Sequence, residues 1–160
     1  MRPHAGMQTL FTVLITLQLV VVAAHDLVDI PGWTHGAQVK ALLGRRKLWL
    51  VTLINSSFPG LAAGLALYYW NRPEPALVAD YWLLYCAVTL GSAVAMWYIP
   101  YLFGTTAERK LDFSRMYAGT RQVLPPRGDN PRPNLLHLCF HALFAVTFLL
   151  VFLLRFRGLR

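Results

Sequence analysis

Four apolar stretches organise the chain, at residues 7–24, 48–70, 81–103 and 135–154, and none of them contains an Asp, Glu, Lys or Arg. At a rise of about 1.5 Å per residue each covers roughly 27 Å or more, enough to cross a hydrocarbon core of about 30 Å. In lipid an α-helix satisfies its own backbone, whereas an open sheet does not. The pattern therefore predicts an all-α polytopic integral membrane protein, a four-transmembrane-helix bundle forming one membrane domain over residues 1–160. Aromatic residues mark the predicted boundaries: Trp49, then Tyr68, Tyr69 and Trp70, then Tyr81 and Trp82, then Tyr98 and Tyr101. That is the placing of an interfacial aromatic belt. The connection 71–80 is short and holds two prolines, so the second and third helices are expected to be antiparallel neighbours.

Two longer connections, 25–47 and 104–134, carry signals for short interfacial helices. Thr34 is placed to cap a helix through Val39, Leu42 and Leu43 to Gly44, with the basic run Arg45, Arg46, Lys47 after it. Thr105 or Thr106 is placed to cap another, with Phe113 and Tyr117 sharing a face and Glu108, Arg109 and Asp112 turned to water. Beyond Gly119, Pro125, Pro126, Pro131 and Pro133 remove donors and restrict their neighbours, so this segment is expected to be extended. No internal repeat is visible. A rival reading of the first stretch is a secretory leader, because Arg2 precedes it and Val22-Ala23-Ala24 would serve as a cleavage site. Cleavage would leave three spans and reverse the sidedness.

Composition agrees with the pattern: 56% of the 160 residues are hydrophobic and mean hydropathy is +0.45. After four spans too little chain remains for a separate soluble catalytic domain. A net charge of +8 would point to nucleic acid in a soluble domain. Here the charges flank the apolar stretches, which makes membrane lipids the expected partners and nucleic acid not one. In the four-span arrangement one side carries Arg2, Arg72, Arg155, Arg157 and Arg160. The other carries Lys40, Arg45, Arg46, Lys47, Arg109, Lys110, Arg115, Arg121, Arg127 and Arg132. The positive-inside rule then places both long loops in the cytoplasm and both termini outside. Cys86 and Cys139 lie near opposite ends of their stretches, beyond the roughly 7 Å between α-carbons that a disulfide allows.

The four-span arrangement also gathers histidines, since His25, His35, His137 and His141 fall on one side and only His4 on the other. His137 and His141 are four apart and share a helix face. His25, His137 and His141 form a candidate ligand set for a transition metal or haem. They are equally candidates for acid/base chemistry, or for no more than polar packing between helices and headgroups. Asn55, Ser56 and Ser57 lie at similar depth, and Pro59 and Pro100 free the carbonyls of Asn55 and Met96 beside Trp97. Freed carbonyls away from water need a partner, so a polar cavity is expected in the cytoplasmic leaflet half, lined by His25, Asn55, Ser56, Trp97, His137 and His141. Arg127 or Arg132, held by the proline-rich loop, would bind a phosphate or carboxylate headgroup there. Gly60 and Gly64, with Ala87, Gly91 and Ala95, recur every four positions and are expected to let helices approach closely, within the chain, a homo-oligomer or a membrane complex.

Arg132-Pro133 shortly before His137, in a four-span chain, resembles the sterol-isomerase and sigma-2-receptor family. That family uses intramembrane carboxylates in its ligand chamber and the four stretches here have none, so the likeness implies only a lipid-binding chamber by analogy of architecture. Three functions stay open: binding of a lipid-like or amphipathic ligand, a metal- or haem-dependent membrane enzyme using His25, His137 and His141, and an accessory or scaffold subunit. Transport is disfavoured, because no acidic residue within a stretch would couple ions.

Overall fold

A computed structural model of the chain describes residues 5–70, 72 and 75–157. The structure is mostly helical, and four of its helices are long and apolar enough to cross a membrane. These are α1 (Ala5–Ala24), α3 (Arg45–Tyr68), a rod made of α4 (Ala76–Ala93), a π-helical turn (Val94–Tyr98) and α5 (Ile99–Phe103), and α7 (Leu135–Arg157). Short helices α2 (Gly36–Leu43) and α6 (Ala107–Met116) lie in the two long loops. His4, Asn71, Pro73 and Glu74 are outside the described residues.

The third long helix begins five residues before the apolar pattern does. Pro75 holds extended backbone at its N-cap (φ −63°, ψ 147°) and α4 starts at once, because a missing N–H costs nothing where the first donors have no partners anyway. Asp80, read from the sequence as loop, is thereby inside α4 and pairs with Arg155 Nε of α7 at 2.8 Å.

α1 packs along α3 and α7, and α4 packs along α7. Phe11 and Ile15 of α1, Trp82 and Tyr85 of α4, and Phe144 and Val151 of α7 form the core, together with Ala62, Ala63 and Ala66 of α3. The alanines let α3 pack closely against this core. The small residues singled out in the sequence do not do this. A Cβ on Gly60 would meet only Leu19 Cδ1 at 3.9 Å, and one on Gly64 or Gly91 would meet nothing. Gly64, Ala87, Gly91 and Ala95 all face outward. The reason is rotational: four-residue spacing fixes a common face but not which neighbour that face meets.

Within the core, Gln18 of α1 is fully buried and its Nε2 donates to Thr147 Oγ1 of α7 at 2.7 Å. With α1 lying between α3 and α7, its removal as a leader would strip Phe11, Ile15 and this polar pair from the core.

The two long loops are joined to each other at one end of the helices. Arg121 N donates to Gly32 O at 2.7 Å and Leu135 N to Arg121 O at 2.7 Å. In the first loop Asp29–Ile30 and Thr34–His35 form a two-stranded hairpin, β1 and β2. Thr34 does not cap α2 as expected. Its hydroxyl accepts from Ile30 N and donates to Val28 O, so both roles are taken inside the hairpin. Asp29 Oδ1 instead accepts from Ala37 N at 3.1 Å, in the first turn of α2. In the second loop Thr106 is the cap of α6, its Oγ1 accepting from Arg109 N. Residues 120–134 are irregular, as the prolines require.

Gly36 closes the first loop, since a Cβ there would come within 2.9 Å of Leu27 C and 3.0 Å of Asp26 O. Backbone atoms cannot move aside as a side chain can. Gly36→Ala is expected to lower the unfolding free energy by roughly 1–3 kcal/mol, read by thermal unfolding of the purified chain, while Gly64→Ala leaves it within about 0.5 kcal/mol.

Candidate functional site

Asn134 is the N-cap of α7 and organises the first turn of that helix. Its Oδ1 accepts the backbone N–H of His137 at 3.0 Å, so this oxygen is fixed as an acceptor. The same atom lies 2.8 Å from His137 Nδ1, which must then carry the proton. Nε2 of His137 is left with a free lone pair, and no described protein group bonds it. Asn134 Nδ2 reaches Trp33 O at 3.4 Å, and the residue is 1% exposed.

Around His137 the rings close in. Trp97 is 4.1 Å away between centroids, Tyr117 5.3 Å, His25 6.0 Å and His141 6.1 Å. Trp97 also packs on Phe113 and Tyr117 at 4.9 and 5.0 Å, which ties α6 to the cluster. Burial first, and then the Asp26 carboxylate, hold the Tyr117 phenol above its ordinary range, so it remains a hydrogen-bond donor. His141 Nδ1 is 3.2 Å from Tyr98 OH. His25 Nδ1 donates to Val22 O at 2.9 Å, and its Nε2 lies 3.3 Å from Asp26 Oδ1.

Trp97 and Tyr98 reach these histidines from the π-helical turn that precedes Pro100. Pro100 offers no N–H to Met96 O. Arg109 Nη2 of α6 donates to that carbonyl instead, at 3.2 Å. The sequence expectation that this carbonyl needs a partner is met, but by a side chain assigned to water.

Two hollows that share part of their lining lie beside the cluster. The larger, of about 460 Å³, is walled by Ile54, Asn55 and Phe58 of α3, by α4 from Tyr81 to Ser92, and by Phe140 and Phe144 of α7. The smaller, of about 190 Å³, is lined by Met96, Trp97, Leu136, His137 and His141. His25, Thr89, Ser92 and Phe140 belong to both. No Asp, Glu, Lys or Arg lines either. The larger hollow exists because α3 and α4, although joined by a short connection, meet mainly near it. There Tyr81 OH donates to Phe58 O and Trp82 Nε1 to Ala62 O. Farther along, the seam is open sideways, and Ile54, Phe58, Leu84 and Val88 are each more than half exposed on it.

His25, Trp97, His137 and His141 are thus brought to the smaller hollow, and Asn55, with His25 again, to the larger. Ser56 is not: its Oγ is buried without a partner, on the α3 face turned away. Arg127 and Arg132 also stand apart. The proline-rich segment folds onto the end of α5, where Tyr101 OH donates to Pro125 O and Asn130 Nδ2 to Tyr101 O. Arg132 Nη1 is taken up by Leu124 O, and Arg127 lies over the Tyr101 ring. Among the described residues no three His, Cys, Asp or Glu side chains are arranged to hold a metal ion. His25, His137 and His141 are near one another, yet each Nδ1 is already committed. Asn134, Thr89 and Ser92 are the site residues the sequence pattern did not single out. Asn134 was signalled by its place three residues before His137 at the start of an apolar run.

No described family, no curated protein and no solved structure matches the chain.

Asn134→Ala is expected to cost about 1–2 kcal/mol of stability through the lost cap alone. Asn134→Asp, which keeps the acceptor, is expected to retain most of the stability in the same thermal unfolding measurement.

Proposed function

We propose that the chain crosses a membrane as a four-helix bundle and binds a lipid-like, amphipathic molecule in the cleft between α3 and α4. The polar end of that molecule lies at His25, His137 and His141, and its apolar body lies among Phe58, Tyr85, Phe140 and Phe144. The observation that carries this reading is the open seam: a charge-free, largely apolar hollow beside a second one lined by His25, His137 and His141. A hollow of this size falls within the range of small-molecule sites. Side entry suits a ligand that already resides in a membrane. On the positive-inside rule both long loops are cytoplasmic and the termini outside, which puts the histidines in the cytoplasmic leaflet half.

Lipid tails are as apolar as the cleft wall, so the body of the ligand gains little by leaving the bilayer. Selection therefore falls on the polar end. Purified full-length chain is expected to carry a co-extracted amphipathic molecule at near-stoichiometric amount by mass spectrometry, and Thr89→Trp or Ser92→Trp, which fill the hollow, to lose most of it. Equal content in wild type and both filled variants would rule the site out.

An accessory role is the second reading, favoured by the outward-facing small residues Gly64, Ala87, Gly91 and Ala95. If these stripes mediate assembly, Gly64→Leu dissociates a complex that wild type forms in crosslinking, with the co-extracted ligand unchanged.

A further inference from the structure

We infer, resting on the reading that the cleft holds an amphipathic ligand, that this ligand is a lipid whose head carries an uncharged hydroxyl group that donates to His137 Nε2. Three observations lead there. First, no Asp, Glu, Lys or Arg lines either hollow. A phosphate, carboxylate or ammonium head would be stripped of water with no counter-charge, which is costly. The arginines that a headgroup would need are engaged elsewhere, Arg132 on Leu124 O and Arg109 on Met96 O.

Second, His137, which lines the smaller hollow, offers a lone pair rather than a proton. Asn134 fixes the His137 tautomer with its proton on Nδ1, and Nε2 is the atom left over. Thr89 Oγ1 gives its proton to Tyr85 O at 2.9 Å, so toward the hollow it too accepts. An ester, ketone or ether presents only acceptors and would leave the His137 Nε2 lone pair without a bond. A hydroxyl supplies the missing donor. Third, apart from Asn55, Thr89, Ser92 and His25 the lining of the larger hollow is aliphatic or aromatic, with Ile54, Phe58, Leu84, Val88, Phe140 and Phe144 among it, which suits an apolar body. Sterols, long-chain alcohols and acylglycerols share this chemistry.

The test uses the full chain in phosphatidylcholine nanodiscs, labelled by a diazirine-bearing long-chain primary alcohol. The competitors are the unlabelled alcohol, its methyl ether, the matching fatty acid and the matching alkyl phosphate. Crosslinks are expected on the cleft residues of α4 and α7. The alcohol is expected to compete roughly tenfold or more better than the ether, acid or phosphate, as loss of one buried hydrogen bond or burial of a bare charge implies. His137→Phe is expected to erase the advantage of alcohol over ether while the crosslinks stay in place. A sterol and a monoacylglycerol as further competitors separate a rigid body from a flexible one. If ether and alcohol compete equally on wild type while labelling remains in the cleft, the hydroxyl head is overturned and the cleft itself stands. If no crosslink falls in the cleft, both are overturned. The wild-type comparison decides even if His137→Phe does not fold.

Discussion

Asn134 sits where the second long loop becomes α7, and both polar atoms of its amide are in use. The oxygen takes the backbone N–H of His137 and faces the Nδ1 of the same residue, while the nitrogen reaches the first loop at Trp33 O. One buried side chain therefore starts a helix, sets the tautomer of His137 and ties two loops together. A helix N-terminus buried without such a cap would leave donors unsatisfied. Here the satisfaction of that requirement also leaves a chemically defined acceptor on a residue that lines the smaller hollow.

A second unpaired backbone group is satisfied in the same neighbourhood, and with a similar consequence. Pro100 leaves Met96 O without its helical donor, the rod widens into a π-helical turn, and Arg109 comes from α6 to supply the bond. The turn presents Trp97 and Tyr98 to His137 and His141. The bond brings α6 down over them, so that Phe113 and Tyr117 complete the ring stack. The loop over the histidines is held by the helix defect beneath it, and Lys110, bonded to Asp129 at 2.6 Å, ties α6 to the proline-rich segment as well.

The remaining feature is an incompleteness. Three of the four helix seams are packed and the fourth, between α3 and α4, is closed only near their short connection. In water such an exposed apolar edge would be unfavourable. In the proposed membrane it is neutral, because lipid solvates it as well as protein does, and so a lateral opening can persist in a stable chain.

How much of this was legible in the residues depends on which interactions are local. Four uncharged runs determined four long helices, since span length and backbone self-satisfaction depend on nothing outside each run. The Thr106 cap, the break after Gly119 and the irregular proline segment were local too, as was the gathering of His25, His137 and His141 once the runs were counted. Rotation and rank among neighbours are not local. Only tertiary packing decided that Ala62, Ala63 and Ala66 enter the core while the stripe at Gly91 faces out, that Arg109 turns to a carbonyl rather than to water, and that Ser56 and the loop arginines stay away from the hollow. A helix that is apolar all round carries no stripe to say which side meets protein, so its sequence specifies its length and leaves its facing to the shapes it packs against.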